Sequence, residues 1–126
     1  MPDFSIYQRL RSFTHALRGA GTLVGTQHNS WIHAVATVLV LGAGFWVRVS
    51  LTEWGLLIVA ITLVWLAEAL NTAIEFLADE ITEERRDRIK KAKDVAAFGV
   101  LISALAAAMI GVIVFLPHLC DLKLIK

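Results

Sequence analysis

Apolar residues recur at spacings of three and four near the start of the chain, at Ile6, Leu10, Phe13, Leu17, Ala20 and Val24. That period predicts an amphipathic helix over 4–25. Arg11, His15 and Arg18 recur the same way on another face. A helix with one apolar and one basic face tends to lie in a membrane interface, although the stripe also suits a helix packed in a soluble bundle. "GTQHNS", 25–30, interrupts the pattern. After it the alternation vanishes because polar positions vanish: "WIHAVATVLVLGAGFWV", 31–47, carries no formal charge. Trp31 and Trp46 stand near its ends, where indoles favour the membrane–water boundary. Its length is near the lower end of the ~17–25 residues that span a bilayer.

"RVSLTE" makes a short polar turn, and a second apolar stretch runs over 54–78. "DEITEERRDRIKKAKD", 79–94, reads as a charged loop or a helical extension into water. A third stretch, "VAAFGVLISALAAAMIGVIVFL", covers 95–116, and Pro117 helps to end it. The pattern predicts an all-α membrane protein, with three transmembrane helices and an N-terminal interfacial helix in one domain over 1–126. The third stretch is rich in alanine, glycine and serine, which let helices approach closely in lipid. Three short spans enclose little by themselves, so a homo-oligomer is expected.

Composition strengthens the membrane reading. Hydrophobic residues make up 57% of the chain, against ~45–50% in soluble domains. The net charge of +1 implies no nucleic-acid partner. Cys120 is the single cysteine, so no intrachain disulfide is expected. "MPDFSIYQRLRSF" has no continuous apolar run of the kind a secretory leader needs. The placement of charge says more than its sum. Arg9, Arg11, Arg18, Arg85, Arg86, Arg88, Lys90, Lys91 and Lys93 lie on one side of the spans, and Arg48, Lys123 and Lys126 on the other. By the positive-inside rule, the N-terminus and the 79–94 segment are expected in the cytoplasm.

The second stretch ends in "AEALNTAIEFLAD". On a helical wheel Thr72, Glu75 and Asp79 fall within about 40° of Glu68, and Asn71 within about 60°. Leu66, Leu70, Ala73, Phe76 and Leu77 form an apolar opposite face. Glu68 lies about 21 Å along the axis from Trp54, and Glu75 about 31 Å. Across a ~30 Å hydrocarbon core, Glu68 is expected just inside the cytoplasmic boundary, with Glu75 and Asp79 at the water edge. Charged residues in membrane helices are costly and mark functional sites.

Three readings fit such a stripe. One is structural, with hydrogen bonds between helices. A second is a proton or cation pathway, weakened because the stripe does not extend through the first half of the span. The third is a metal–nucleotide site, since carboxylate oxygens suit Mg²⁺ sharing its shell with phosphates. "KKAKDVAA" adds Lys93, with Asp94 as a candidate N-cap or first-turn residue of the third helix. A helix N-terminus and a lysine together bind anions, although Lys93 also suits an ordinary snorkelling lysine. Arg85, Arg86 and Arg88 either steer a nucleotide or form a solvated surface beside lipid headgroups. Trp65 and Thr72 read as packing residues, and His28 and His33 as polar or interfacial contacts with no catalytic role. No GxxxxGK[ST] or GxGxxG motif is present.

"EALNTAIEFLAD" followed by "AKDVAA" resembles the pairing of motifs found in the bacterial membrane diacylglycerol kinase and undecaprenol kinase family. "SFTHALRG", "QHNSWIH" and the closing "FLP" are similar as well, so the resemblance covers roughly 8–117. It implies a homotrimer in the bacterial cytoplasmic (inner) membrane that transfers the γ-phosphate of ATP to a lipid hydroxyl, of undecaprenol or diacylglycerol, with Mg²⁺. By motif, Glu68 resembles the general base and Glu75 a metal-binding carboxylate. Asn71 and Asp79 match site-organising polar positions, and Lys93 and Asp94 match a nucleotide-binding pair. The chain departs from the family at Gln27, where well-known members carry a glutamate that assists the metal. Gln27 offers a carbonyl oxygen without charge, so weaker metal binding, or a site that leans on Asp79, is expected. The alternative implied is a weak or inactive relative acting as a membrane interaction or assembly protein.

Overall fold

The computed structural model describes residues 6–81, 84 and 86–124, all of it helix and connection. Four helices follow in order: α1 Ile6–Thr26, α2 His28–Val47, α3 Leu51–Ile81 and α4 Asp87–Leu124. The last three are long and apolar enough to cross a membrane. Residues 4 and 5, assigned from sequence to the first helix, lie outside the described residues.

The boundaries differ from the sequence pattern in instructive ways. The interruption expected over 25–30 shrinks to Gln27, whose extended backbone (φ −109°, ψ 121°) is enough to redirect the chain between α1 and α2. The 79–94 segment is mostly helix, because α3 continues to Ile81 and α4 already begins at Asp87. Pro117 sits inside α4 rather than ending it. Proline removes one backbone donor, and membrane helices tolerate it where local adjustment satisfies the freed groups.

The turn between α2 and α3 is built from local chemistry. Arg48 adopts the left-handed conformation (φ 58°, ψ 52°), and its N–H donates to the Gly44 carbonyl. The Val49 N–H donates to that carbonyl too, at 3.1 Å. Ser50 and Glu53 then form a reciprocal cap at the start of α3: Ser50 N–H donates to Glu53 Oε2 at 2.6 Å, and Glu53 N–H donates to Ser50 Oγ at 3.4 Å. That is a capping box, which satisfies two of the amide donors a helix start leaves free. The other oxygen of Glu53, Oε1, stands 3.1 Å from His118 Nε2, tying the far end of α4 to the turn.

α3 and α4 form a closely packed antiparallel pair. The partly or fully buried positions of α4, Ala96, Val100, Ser103, Ala107, Ile110, Val114 and His118, recur every three or four residues and cover α3. Small residues on this face bring the backbones together. In lipid such contact is stabilised mainly by close van der Waals packing, since the tails are as apolar as the side chains. The apolar core, Val49, Leu57 and Val114 with Trp54, Ile110 and Phe115 against it, gathers at the turn end. Gly44 lets the Trp54 indole lie across α2, because a Cβ there would meet Trp54 Cη2 at 2.8 Å. The opposite end of α3 is polar.

Candidate functional site

α3 is arranged inside out, as a membrane helix with a polar edge must be. Leu66, Leu70, Phe76 and Leu77 are each about half exposed or more. Glu68, Asn71 and Thr72 are buried, at 1%, 6% and 4% exposure. Glu75 is half-buried and Asp79 exposed, so the edge grades from enclosed to open along the helix. A period near 3.6 puts these residues on one side, and packing of α2 and α4 covers its first part.

The buried part is under-satisfied. Among the described residues, neither oxygen of Glu68 has a hydrogen-bond partner, nor do Asn71 Oδ1, Thr72 Oγ1, Ser30 Oγ or His33 Nε2. Unpaired buried polar groups are rare in folded proteins, and a run of them marks a place kept ready for something. His33 Nε2 lies 3.7 Å from Glu68 Oε2, beyond hydrogen-bond length. One turn along α3, Asn71 Nδ2 donates to Glu75 Oε1 at 3.2 Å. Further out, Lys93 Nζ donates to Asp79 Oδ1 at 3.0 Å across α3 and α4.

Gln27 enters through the register of α2 and α3. His33 faces Glu68, and four residues on, Thr37 faces Trp65, whose Nε1–H donates to Thr37 Oγ1 at 3.1 Å. The two helices therefore run antiparallel with equal rise per residue. Following that pairing back to the start of α2 sets Ser30 level with Asn71 and Thr72, and Gln27 level with Glu75. The Gln27 side chain makes no capping bond to α2, so its carbonyl oxygen is not spent there.

Two expectations change. Asp94 is neither N-cap nor first-turn residue, because α4 starts at Asp87. The amides around Lys93 and Asp94 lie within the hydrogen-bonded helix, so any anion there meets the Lys93 ammonium and not free helix N–H groups. Asp94 itself is exposed and well inside α4. Arg85 falls outside the described residues. Arg86 is exposed, with its guanidinium 3.6 Å from Glu84, and Arg88 is exposed.

Among the described residues, no group of three or more His, Cys, Asp or Glu could hold a metal ion by itself. The donors present are the Glu75 carboxylate, oriented by Asn71, the unpartnered Asn71 Oδ1 and the Gln27 carbonyl at the same level. That set fits Mg²⁺, which binds through one or two carboxylates and completes its shell with phosphates and water.

Beside the polar edge runs an apolar groove of about 610 Å³. Ala16, Gly19, Ala20 and Leu23 of α1 form one wall, and Trp65, Ala69, Ala73 and Phe76 of α3 the other. Thr72 belongs to both the groove and the polar edge. An apolar slot thus runs alongside the polar edge, meeting it at Thr72, while the edge itself leads from the buried Glu68 carboxylate out to the Lys93 ammonium.

The sequence profile of prokaryotic diacylglycerol kinase matches residues 14–115. The chain belongs to this family. Its members are lipid kinases, and the match takes in every site residue named above. The undecaprenol kinase of Bacillus subtilis (strain 168) is 40% identical over 109 residues, covering 86% of this chain and 89% of that one. The diacylglycerol kinase of Escherichia coli (strain K12) is 30% identical over 113 residues, with 84% and 93% covered. A diacylglycerol kinase of Synechocystis sp. is 34% identical over 114 residues, and the match spans 90% of this chain and 65% of that longer relative.

The sequence reads His33 as a polar or interfacial contact and does not join it to Glu68. Its ring lies 3.7 Å from the Glu68 carboxylate, and a signal for that proximity existed. In an antiparallel helical hairpin, facing residues lie equally far from the turn. A turn at 48–50 sets the low thirties against the high sixties.

Proposed function

We propose that this chain transfers the γ-phosphoryl group of ATP to the primary hydroxyl of a membrane lipid, undecaprenol or diacylglycerol, by direct in-line displacement. The observation that carries this is Glu68, buried to 1% exposure with both oxygens unpartnered, beside an apolar groove. A carboxylate kept in such a place is costly, and ionisable groups in membrane helices mark functional sites.

In this reading the lipid tail lies along the α1–α3 groove and its hydroxyl meets Glu68. Glu68 takes the hydroxyl proton as the lipid oxygen bonds to the γ-phosphorus, and the bond to the departing ADP breaks. Glu75, oriented by Asn71, would hold Mg²⁺ with help from Gln27, and the ion would neutralise charge on the phosphate oxygens. Lys93 keeps donor capacity beyond its bond to Asp79, because an ammonium has three N–H groups. It meets the nucleotide from the open end of the edge, with Asp79 and Asp94 beside it. Such catalysis is chiefly positioning and charge neutralisation. The nine-to-three division of basic residues supports an orientation with the N-terminus and the site facing the cytoplasm, in the bacterial inner membrane. The broadly exposed apolar surface of α4 supports assembly, read here as a homotrimer. Of the two lipids, undecaprenol is favoured by the higher identity to the Bacillus subtilis enzyme.

The decisive experiment is ATP-dependent phosphorylation by purified protein in micelles, with each lipid offered separately, for wild type and Glu68→Gln. Loss of turnover by roughly a hundredfold or more, with the oligomer intact, is expected. Wild-type turnover in Glu68→Gln would remove the base. Loss of assembly before activity would favour the other reading, a stripe that serves only to hold subunits together.

A further inference from the structure

His33 sits near the start of α2 with 14% of its side chain exposed, and its ring packs against Trp65. The Trp65 ring meets it edge-on, with centroids 6.4 Å apart and planes at 66°. The indole is itself fixed, because Nε1–H donates to Thr37 Oγ1 at 3.1 Å. The Thr37 hydroxyl in turn donates to the His33 carbonyl at 2.7 Å. A closed loop of contacts therefore runs from the backbone of His33 through Thr37 and Trp65 back to its own ring.

That loop presents one atom. Nε2 is buried, has no hydrogen-bond partner among the described residues, and stands 3.7 Å from Glu68 Oε2. Glu68 has the complementary need, with two buried acceptors and no donor. A small rotation about the terminal torsion of Glu68 would close the gap, and such torsions are soft.

We propose that His33 is a positioning residue for Glu68: its Nε2–H donates to Oε2, holds the carboxylate in one orientation, and leaves Oε1 to receive the hydroxyl proton of the lipid. This rests on the reading of Glu68 as the base. A glutamate has three side-chain torsions, and a reacting group held in place by its supporting residues works better than one that wanders. His33 suits the task because an imidazole is rigid and its neighbours fix its plane. The brace comes from α2 and from Trp65, which lies one turn of α3 before Glu68 and is also part of the groove wall.

The test compares His33→Phe, His33→Gln, Thr37→Val and Glu68→Gln as purified oligomers in micelles, with undecaprenol as the lipid and MgATP varied. His33→Phe removes the donor and keeps a ring. Its kcat should fall on the order of tenfold to a hundredfold, the worth of one hydrogen bond to a charged group, with KM for MgATP unchanged. His33→Gln restores an N–H donor and should recover to within roughly threefold of wild type. Thr37→Val removes the anchor of the brace and should lower kcat severalfold; it decides alone if His33→Phe fails to assemble. Wild-type kcat in Thr37→Val and in an assembled His33→Phe overturns the proposal. So does an equal loss in His33→Phe and His33→Gln, or a parallel rise in KM for MgATP, since packing alone would produce either. Glu68→Gln separates the failures: if it is inactive while the His33 variants are normal, the base stands and only the positioning role falls.

Discussion

Lys93 Nζ and Asp79 Oδ1 are 3.0 Å apart, joining the outer end of the α3 polar edge to α4. Both side chains reach solvent, at 37% and 70% exposure. An exposed pair of this kind stabilises by only ~0.2–1 kcal/mol, so its placement matters more than its strength. It holds an ammonium at the mouth of the site.

Neutralising Lys93 should therefore disturb the nucleotide and not the fold. Lys93→Gln is expected to raise KM for MgATP about tenfold or more while the melting temperature in detergent stays nearly constant. Exchanging the charges, Asp79→Lys with Lys93→Asp, restores the ion pair but moves the cation to α3. The exchange should not recover activity. Recovery would mean that the pair itself, and not the position of Lys93, is what the enzyme needs.

Asn71 donates to Glu75 Oε1 at 3.2 Å and is nearly buried. Asn71→Ala frees the carboxylate to rotate and removes an orphaned amide oxygen at once. Activity measured against Mg²⁺ concentration should show the half-maximal point moved upward, by roughly tenfold. An unchanged Mg²⁺ dependence with reduced turnover would take Asn71 out of the metal's surroundings.

At the opposite end of the bundle, Gly44 lies under the Trp54 indole, with no room for a methyl group. Gly44→Ala should destabilise by about 1–3 kcal/mol, the usual effect of overpacking. Trp54→Leu in the same chain should return most of that loss. Thermal inactivation of the two variants beside wild type measures it, and a Gly44→Ala protein as robust as wild type would show that α2 and α3 separate there without penalty.

Some of this was open to reading and some was not. The three spans were legible because long apolar runs have few alternatives. The helix ends were harder. Asp94 has the composition of an N-cap, yet α4 begins at Asp87, since nothing between Asp87 and Lys93 breaks a helix. The same holds at Pro117, where the apolar pattern breaks off but the backbone carries on. The cap at Ser50 and Glu53 is present in the sequence as S-x-x-E, within the segment that reads as a short polar turn.

The sequence by itself determined that Glu68, Asn71, Thr72, Glu75 and Asp79 share one edge of α3, because residues on one helix are related by a fixed rotation and rise. Only the tertiary structure decided what faces that edge: His33 from α2 against the inner carboxylate, Lys93 from α4 against the outer one, and α1 across the groove. Those partners sit on separate helices, and their meeting depends on how the turns close and how small side chains let the backbones approach, which no single helix encodes.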